Sequence, residues 1–212
     1  MWAKKNPSKF WTAGSTLRIA FLNGTQEFKD ATIAAASNWL PHINLKFDFV
    51  DGEEGDIRIL SEEGTFSSFV GTDARLYPDE PTMKLWPHRA IHARYFAAKV
   101  MHEFGHMLGA EHEQTNPTAN IPWNKSVLYA EYGLTDDPDE DDIQSSETRK
   151  SLHLWYLDRA AADESIYTEY DPKSIMHYTI QQSWTVGDFM IFTNLNISEI
   201  DKAFMADAYP AA

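Results

Sequence analysis

Cysteine is absent from the 212-residue sequence, so the chain can form neither disulfide bonds nor a thiolate metal site. Any metal would therefore be held by histidine or carboxylate side chains. Basic residues are also scarce, because 18 Lys and Arg face 32 Asp and Glu and leave a formal net charge of -14. A field of that sign repels nucleic acids and anionic lipids, and we expect neither as a partner.

Long apolar runs are missing too. No segment approaches the roughly 18 consecutive apolar residues of a membrane helix, so we expect no membrane association. The opening segment, residues 1–7, is not followed by the apolar core of a secretion signal. We expect a secreted or exported protein, whose leader was removed or which leaves its cell by another route.

The hydrophobic residues, 43% of the sequence, are sufficient to bury a core without cross-links. No internal repeat and no linker divides the chain. We therefore expect one domain over residues 1–212, and a monomer.

The spacing of apolar residues predicts both strands and helices. Alternation or short apolar runs predict strands at residues 17–22, 45–49 and 56–60, and a shorter one at 81–86. Helical spacing predicts helices at residues 28–40, where Pro41 ends the segment, at 93–108 and at 197–208. Regularity drops beyond His112.

Residues 136–142 contain six acidic residues and one proline, which carry too much like charge to pack. The segment is therefore predicted to be a solvated loop. A calcium site is the weaker alternative, because the spacing lacks the glycine and the terminal glutamate of a calcium-binding loop.

The stretch HEFGHMLGAEH, residues 102–112, carries the chemistry. Residues four apart on a helix differ by roughly 40° around the axis, so His102 and His106 project from one face and can bind one ion. A continued helix would carry His112 about 9 Å further along the axis, too far for a zinc bond. The helix must therefore break, and Gly109 is the residue that permits the chain to reverse.

Three histidine ligands leave a fourth position for water, which is typical of a catalytic zinc site. Glu103, next to the first ligand, is predicted to act as the general base that takes a proton from that water. A bare HExxH occurs by chance on helices, but the extended pattern with Gly109 and His112 is far more specific. The sequence thus predicts one Zn²⁺ per chain.

The pattern HExxHxxGxxH followed by SIMHY at residues 174–178 resembles the astacin family of zinc metalloproteases, in the metzincin clan. The resemblance implies that Met176 lies beneath the zinc-binding imidazoles and that Tyr178 is a further metal ligand and a catalytic residue. It also implies that Glu113 meets the amino group left by propeptide removal, so that Met1 is not the natural mature terminus. The segments HEQTNP and IPWN, residues 112–117 and 121–124, look like microbial members.

The resemblance also implies an α+β, metzincin-like fold. Its upper half, about residues 1–112, would hold a twisted, mostly parallel sheet and two long helices. The lower half, about residues 113–212, would be irregular and end in a C-terminal helix. A protein or peptide substrate would lie extended between the halves and pair with an edge strand around residues 81–85.

Other histidines receive ordinary assignments. His88 and His92 are four apart, yet no neighbouring glutamate or third histidine supports a second metal site. His177 adjoins the Met-turn segment, but Tyr178 matches the ligand position of the family better.

The sequence departs from the family in two respects. The usual disulfides cannot form, and residues 181–198 contain no arginine that would select acidic substrates. A serralysin-type metzincin is one alternative, opposed by Glu113 and by the lack of glycine-rich calcium repeats. A metal-binding module without turnover is another, opposed by Glu103. The resemblance therefore predicts a zinc-dependent endopeptidase.

Overall fold

The computed structural model describes residues 1–5, 8–87, 92–140 and 142–211, and that part of the chain is a mixed α and β structure. Its strands are β1 (Trp2–Lys4), β2 (Thr16–Phe21), β3 (Lys46–Asp51), β4 (Ile57–Ser61), β5 (Ser67–Ser68), β6 (Met83–Leu85) and β7 (Ser165–Tyr167). Its α-helices are α1 (Gln26–Ala36), α2 (Ala93–Met107), α3 (Lys125–Glu131), α4 (Ile143–Leu152) and α5 (Glu199–Ala208). None of these described helices is long and apolar enough to cross a membrane.

Five strands form the main sheet in the order β3-β2-β4-β6-β5. All neighbours are parallel except β5, which runs antiparallel to β6. The predicted mostly parallel sheet is thereby confirmed. The predicted edge strand is wrong, because β6 lies between β4 and β5 and the edge is Ser67–Ser68. A strand of two residues is too short to show an alternation of apolar and polar side chains, so no pattern in the sequence indicated it.

The two helices of the first half, α1 and α2, pack against each other and share one core with the main sheet. Phe28 of α1 meets Phe96 of α2 edge to face, with ring centroids 5.9 Å apart. The indole of Trp39 is fully buried and donates to the carbonyl of Met101 at 3.0 Å. These contacts hold α2 rigidly under the sheet.

The predicted helices agree with the structure except at one end. The structure confirms the helix at residues 93–108 as Ala93–Met107 and the last helix as Glu199–Ala208. The first helix stops at Ala36, and a 3₁₀ segment, Ser37–His42, follows with Pro41 inside it. Proline lacks an N–H and disfavours the α conformation in the residue before it, so the tighter turn replaces the predicted continuation.

The second half is less regular, as predicted, but it contains α3 and α4, which no pattern had indicated. Some of its apolar side chains form two small clusters apart from the main core, whereas others, such as Met176 and Phe204, join the main core. In the acidic segment, Pro138–Glu140 is a 3₁₀ turn and Asp142 caps α4 by accepting from the Ser145 N–H at 2.8 Å. Asp141 lies outside the described residues. The exposed side chains of Asp136, Asp137 and Asp139 agree with a solvated loop.

Candidate metal centre

Helix α2 presents two imidazoles on one face, as the spacing predicts. The Nε2 atoms of His102 and His106 lie 3.1 Å apart, and both side chains are buried. They sit in the last two turns of α2, whose C-terminal carbonyls accept from other side chains. Trp11 donates to Met107 O at 2.8 Å and Tyr209 to Leu108 O at 2.7 Å. The helix end that carries His102 and His106 is therefore fixed by long-range hydrogen bonds.

Gly109 reverses the chain after α2 and brings the third histidine back. Its φ is +101°, a left-handed backbone conformation that residues other than glycine rarely adopt. A Cβ at this position would also lie 2.7 Å from the Phe10 ring. As a result, the Nε2 of His112 lies 3.0 Å from that of His106. The structure confirms the predicted break and its cause.

The three Nε2 atoms are suited to a cation rather than to each other. His102 and His106 each use Nδ1 to donate to a carbonyl, of Ile175 and Ala110 respectively, both at 2.8 Å. A neutral imidazole that donates through Nδ1 carries only a lone pair on Nε2. Two such lone pairs 3.1 Å apart repel unless a positive ion lies among them. The group His102, His106 and His112, whose ligand atoms lie within 4.8 Å of one another, could hold one metal ion.

The imidazoles are held neutral. Burial, and secondarily the charge of His106, brings the pKa of His102 well below its usual value. Burial lowers the pKa of His106 to about 4, and burial and the neighbouring histidines lower the pKa of His112 well below its usual value. Metal ligation requires the neutral form, so the site is prepared for it at neutral pH. With no cysteine in the chain, this nitrogen donor set suits Zn²⁺.

Glu103 lies beside the triad on α2 and is 4% exposed. Burial raises the pKa of its carboxyl group to about 8, while the charge of Lys99 lowers it. A divalent cation at the neighbouring histidines would favour the carboxylate further. A buried carboxyl group beside a metal site is an arrangement that catalytic sites use and that a structural core rarely contains.

The Met-turn segment supports α2 from below. A Cβ added to Gly105 would lie 2.2 Å from the sulfur of Met176, so this sulfur packs directly on the backbone of α2. Met176 is fully buried. The turn is anchored by Asp201 of α5, which accepts from the Ser174 hydroxyl at 2.6 Å and from the Ile175 N–H at 2.8 Å. Through Ile175 O, the same turn orients His102.

The Tyr178 ring lies against the imidazole of His112. Its ring centroid is 4.1 Å from that of His112 and 5.8 Å from that of His102. Burial, followed by the charge of Glu103, raises the pKa of its hydroxyl, which therefore stays protonated. The backbone N–H of Tyr178 donates to Gln114 Oε1 at 3.2 Å. A bond between its hydroxyl and the metal stays a prediction.

Among the described residues, His177 and His92 form hydrogen bonds outside the triad. His177 is buried and uses both ring nitrogens elsewhere, on the Tyr170 hydroxyl at 2.8 Å and the Tyr178 carbonyl at 2.7 Å. His92 caps α2 by accepting from the Arg94 N–H at 3.3 Å. His88 lies outside the described residues.

Comparison with solved structures places these features in a family. A structure of myroilysin is 29% identical and superposes with a TM-score of 0.87, with 100% of each chain covered. A crystal structure of myroilysin is 31% identical over 97% of this chain and 88% of that one, with a TM-score of 0.72. This chain is an astacin-like zinc metalloprotease. Its activity is zinc-dependent hydrolysis of peptide bonds.

A more distant neighbour of this astacin-like protease shares the fold. It is high choriolytic enzyme 1, a hatching-enzyme zinc protease from the medaka fish Oryzias latipes, at 17% identity and a TM-score of 0.59 over 96% of both chains. The sequence matches no protein-family model and none of the curated proteins compared.

Two further residues of this astacin-like protease, Trp2 and Gln114, support the site although no sequence motif pointed to them. Trp2 donates from its indole to the His112 carbonyl at 2.8 Å and so fixes the backbone of His112. Gln114, 1% exposed, joins Tyr178 to the carbonyl of Trp155, to which it donates at 2.7 Å. The position of Gln114 two residues after the third histidine was the only available signal, and the partners are remote in sequence.

Proposed function

We propose that His102, His106 and His112 hold the zinc of this protease and that Glu103 is its general base. One observation carries the proposal: the Nε2 atoms of three histidines converge beside a buried carboxyl group, and two of these histidines share a helix with it. Zinc bound there supplies Lewis-acid polarisation of the scissile carbonyl and lowers the pKa of a water ligand toward ~7.

Glu103 moves the proton in this scheme. Its carboxylate takes a proton from the attacking water and later delivers it to the leaving amine. Because the carboxyl group is almost completely shielded from solvent, the proton is held at the site between the two transfers. Its own helix fixes its position relative to His102 and His106, so no reorganisation precedes the transfer.

Tyr178 is proposed to donate its hydroxyl proton to the developing oxyanion, and to bind the metal when no peptide is present. The raised pKa keeps the hydroxyl protonated and thus able to donate. Gln114 accepts from the backbone N–H of Tyr178, and the tilted ring of Tyr156, 5.6 Å away by ring centroids, packs beside the Tyr178 ring; together they restrain this residue. A preorganised donor of this kind stabilises the transition state more than the substrate.

The peptide substrate is proposed to pair with β5. Phe69 N donates to Thr82 O at 2.9 Å, so residues 69 and 82 form a hydrogen-bonded pair. Such pairs alternate along an antiparallel ladder, and the backbone N–H and C=O of Ser68, opposite Met83, therefore point away from β6. An extended peptide can add to this free edge, and Ser68 faces the cavity beside the metal site.

We further propose that residues 1–212 form one peptidase domain with halves meeting near Glu113, that it acts as a monomer, and that it works outside the cell. The main core draws on both halves, since Met176, Phe204 and Tyr209 pack with residues of the sheet and of α2. One shared core favours a single folding unit.

Glu103→Gln tests the mechanism. The change keeps the size of the side chain and the three ligands but removes the proton acceptor. We expect kcat to fall by roughly 10⁴-fold or more, because loss of a general base costs about 10²–10⁴-fold and this group also protonates the leaving amine. Zinc content and melting temperature should persist.

Glu147→Gln is the matched control, because Glu147 is an exposed glutamate on α4. Cleavage of a mixed peptide library by both variants and the parent would be read by mass spectrometry. Parent-like cleavage by zinc-loaded Glu103→Gln would exclude Glu103 as the base. Absence of cleavage even by the zinc-loaded parent would favour a metal-binding module without turnover.

A further inference from the structure

A large cavity opens beside the metal triad. Its volume is about 1010 Å³, and it borders His106 and His112. One wall is the edge of the sheet at Ser68 and Val70. The first three residues of the π-helical turn His153–Leu157 also line it. A peptide on β5 would pass directly over this cavity.

The turn presents large apolar side chains to that space. Trp155 is 49% exposed and Leu154 is 71% exposed, and both line the cavity. The chain has seven tryptophans. Trp155 is exposed, whereas the other six are buried or half-buried. Within the described residues, its ring stacks on no other aromatic ring. An apolar surface left open beside a reaction centre indicates a ligand that covers it.

The exposure of Trp155 is built into the fold. Its carbonyl accepts from Gln114 Nε2 at 2.7 Å, and Gln114 is 1% exposed. The same Gln114 accepts from Tyr178 N, so the turn and Tyr178 share one support. π-helical turns are rare and occur frequently at functional sites. The apolar surface is thus held at a constant position relative to the third ligand.

Charged side chains of both signs border the cavity. Five are basic and three are acidic: Lys4, Lys9, Arg149, Lys150, Arg159, Glu111, Asp158 and Glu164. Asp158 is also paired with His153 at 2.9 Å. The exposed apolar surface of Trp155 and Leu154 is the feature that would distinguish a large apolar side chain from a small one.

We propose that this cavity is a substrate subsite for a large apolar, preferably aromatic, side chain on one side of the scissile bond, contacted by Trp155 and Leu154. The proposal rests on the proposed function, because the occupant is the peptide being cleaved. An aromatic side chain entering the cavity would bury its ring against the indole, which stabilises both the bound peptide and the transition state.

Paired peptides that differ only in Phe or Ala at one position, moved stepwise across the scissile bond, test the subsite. We expect the parent to prefer Phe by roughly 10–100-fold in kcat/KM at one or two adjacent positions on one side only. Trp155→Ala should reduce this preference to about threefold or less and leave cleavage of the Ala peptides within about threefold of the parent. Trp155→Phe should retain part of the preference.

Two further variants keep the test decisive. Leu154→Ala removes a side chain that is 71% exposed, so it should fold normally and still weaken the preference for Phe. Ile143→Ala is the matched control, because Ile143 is 84% exposed and does not line the cavity. Its preference should equal that of the parent. Binding of fluorescent Phe and Ala peptides to zinc-loaded Glu103→Gln, with and without Trp155→Ala, gives a readout that needs no turnover.

The outcomes separate the subsite from the mechanism. An undiminished preference for Phe in folded Trp155→Ala, or in Leu154→Ala if Trp155→Ala fails to fold, overturns the subsite and leaves the proposed function intact. If no protein cleaves any peptide, but binding still favours Phe and loses that preference with Trp155→Ala, the proposed function fails and the subsite stands. Equal binding of Phe and Ala peptides overturns the subsite.

Discussion

The amino group of Met1 lies 3.0 Å from Glu113 Oε2, and neither group is exposed to solvent. The ammonium also donates a hydrogen bond to Thr168 Oγ1 at 2.7 Å. Glu113 Oε1 accepts from the Asp171 N–H at 2.8 Å. His112, the proposed third metal ligand, therefore stands beside a buried ion pair that ties the first residue to the second half. Whether Met1 is the natural mature terminus stays a prediction.

We expect Glu113→Gln to destabilise the protein by about 3–5 kcal/mol, because it leaves a buried ammonium without its opposite charge. The free energy of unfolding would be measured in urea. Asp51→Asn is the control, since Asp51 forms an ion pair with Lys29 but is 71% exposed, and it should cost less than about 1 kcal/mol. Equal losses of stability in the two variants would show that the buried ion pair stabilises the protein no more than the exposed one does.

Zinc removal should destabilise the chain and abolish cleavage together. A ligand present at 1,000 times its Kd contributes about 4 kcal/mol, which corresponds to roughly 8–16 °C in melting temperature for a domain of this size. Elemental analysis should give one zinc per chain, and phenanthroline should lower the melting temperature of the parent. His102→Ala is the control, because its melting temperature should no longer respond to the chelator. A zinc content near zero in protein purified without added metal would contradict the assignment.

Tyr178→Phe should lower kcat by roughly 10–10³-fold, less than Glu103→Gln, because it removes one oxyanion donor while the metal remains. KM and zinc content should change little. Tyr167→Phe is the control, since Tyr167 lies in β7 and is 40% exposed. A larger loss of kcat from Tyr178→Phe than from Glu103→Gln would contradict the assignment of Glu103 as the general base and Tyr178 as the oxyanion donor.

Gly105→Ala should destabilise the protein by about 1–3 kcal/mol, because its Cβ would lie 2.2 Å from the Met176 sulfur. Alanine favours a helix by up to about 1 kcal/mol over glycine, so a net loss of stability would have to come from the steric clash with Met176. The double variant with Met176→Ala removes the obstacle. It should lose less than the sum of the two single variants in thermal or urea unfolding. Strict additivity would show that the two residues do not meet.

Local spacing by itself determined the convergence of the three histidines and the main helices. Four residues on a helix return to the same face, a glycine is needed where the chain reverses, and the lack of cysteine leaves histidine as the zinc ligand. These constraints act within a few residues, so His102, His106, His112, Gly109 and the bounds of α2 could be predicted from the sequence. The resemblance added Met176, Tyr178 and the partner of Glu113.

Only the tertiary structure decided which strand forms the edge and which side chains surround the metal site. The two residues of β5 are too few to show a period, and β6 becomes internal only because β5 pairs with it. Gln114 bonds Trp155, 41 residues away, and Tyr178, 64 residues away. Such contacts depend on how separate segments pack, and no local pattern encodes them. The cavity at Trp155 exists for the same reason, because its walls come from β1, β5, the end of α2 and the π-helical turn.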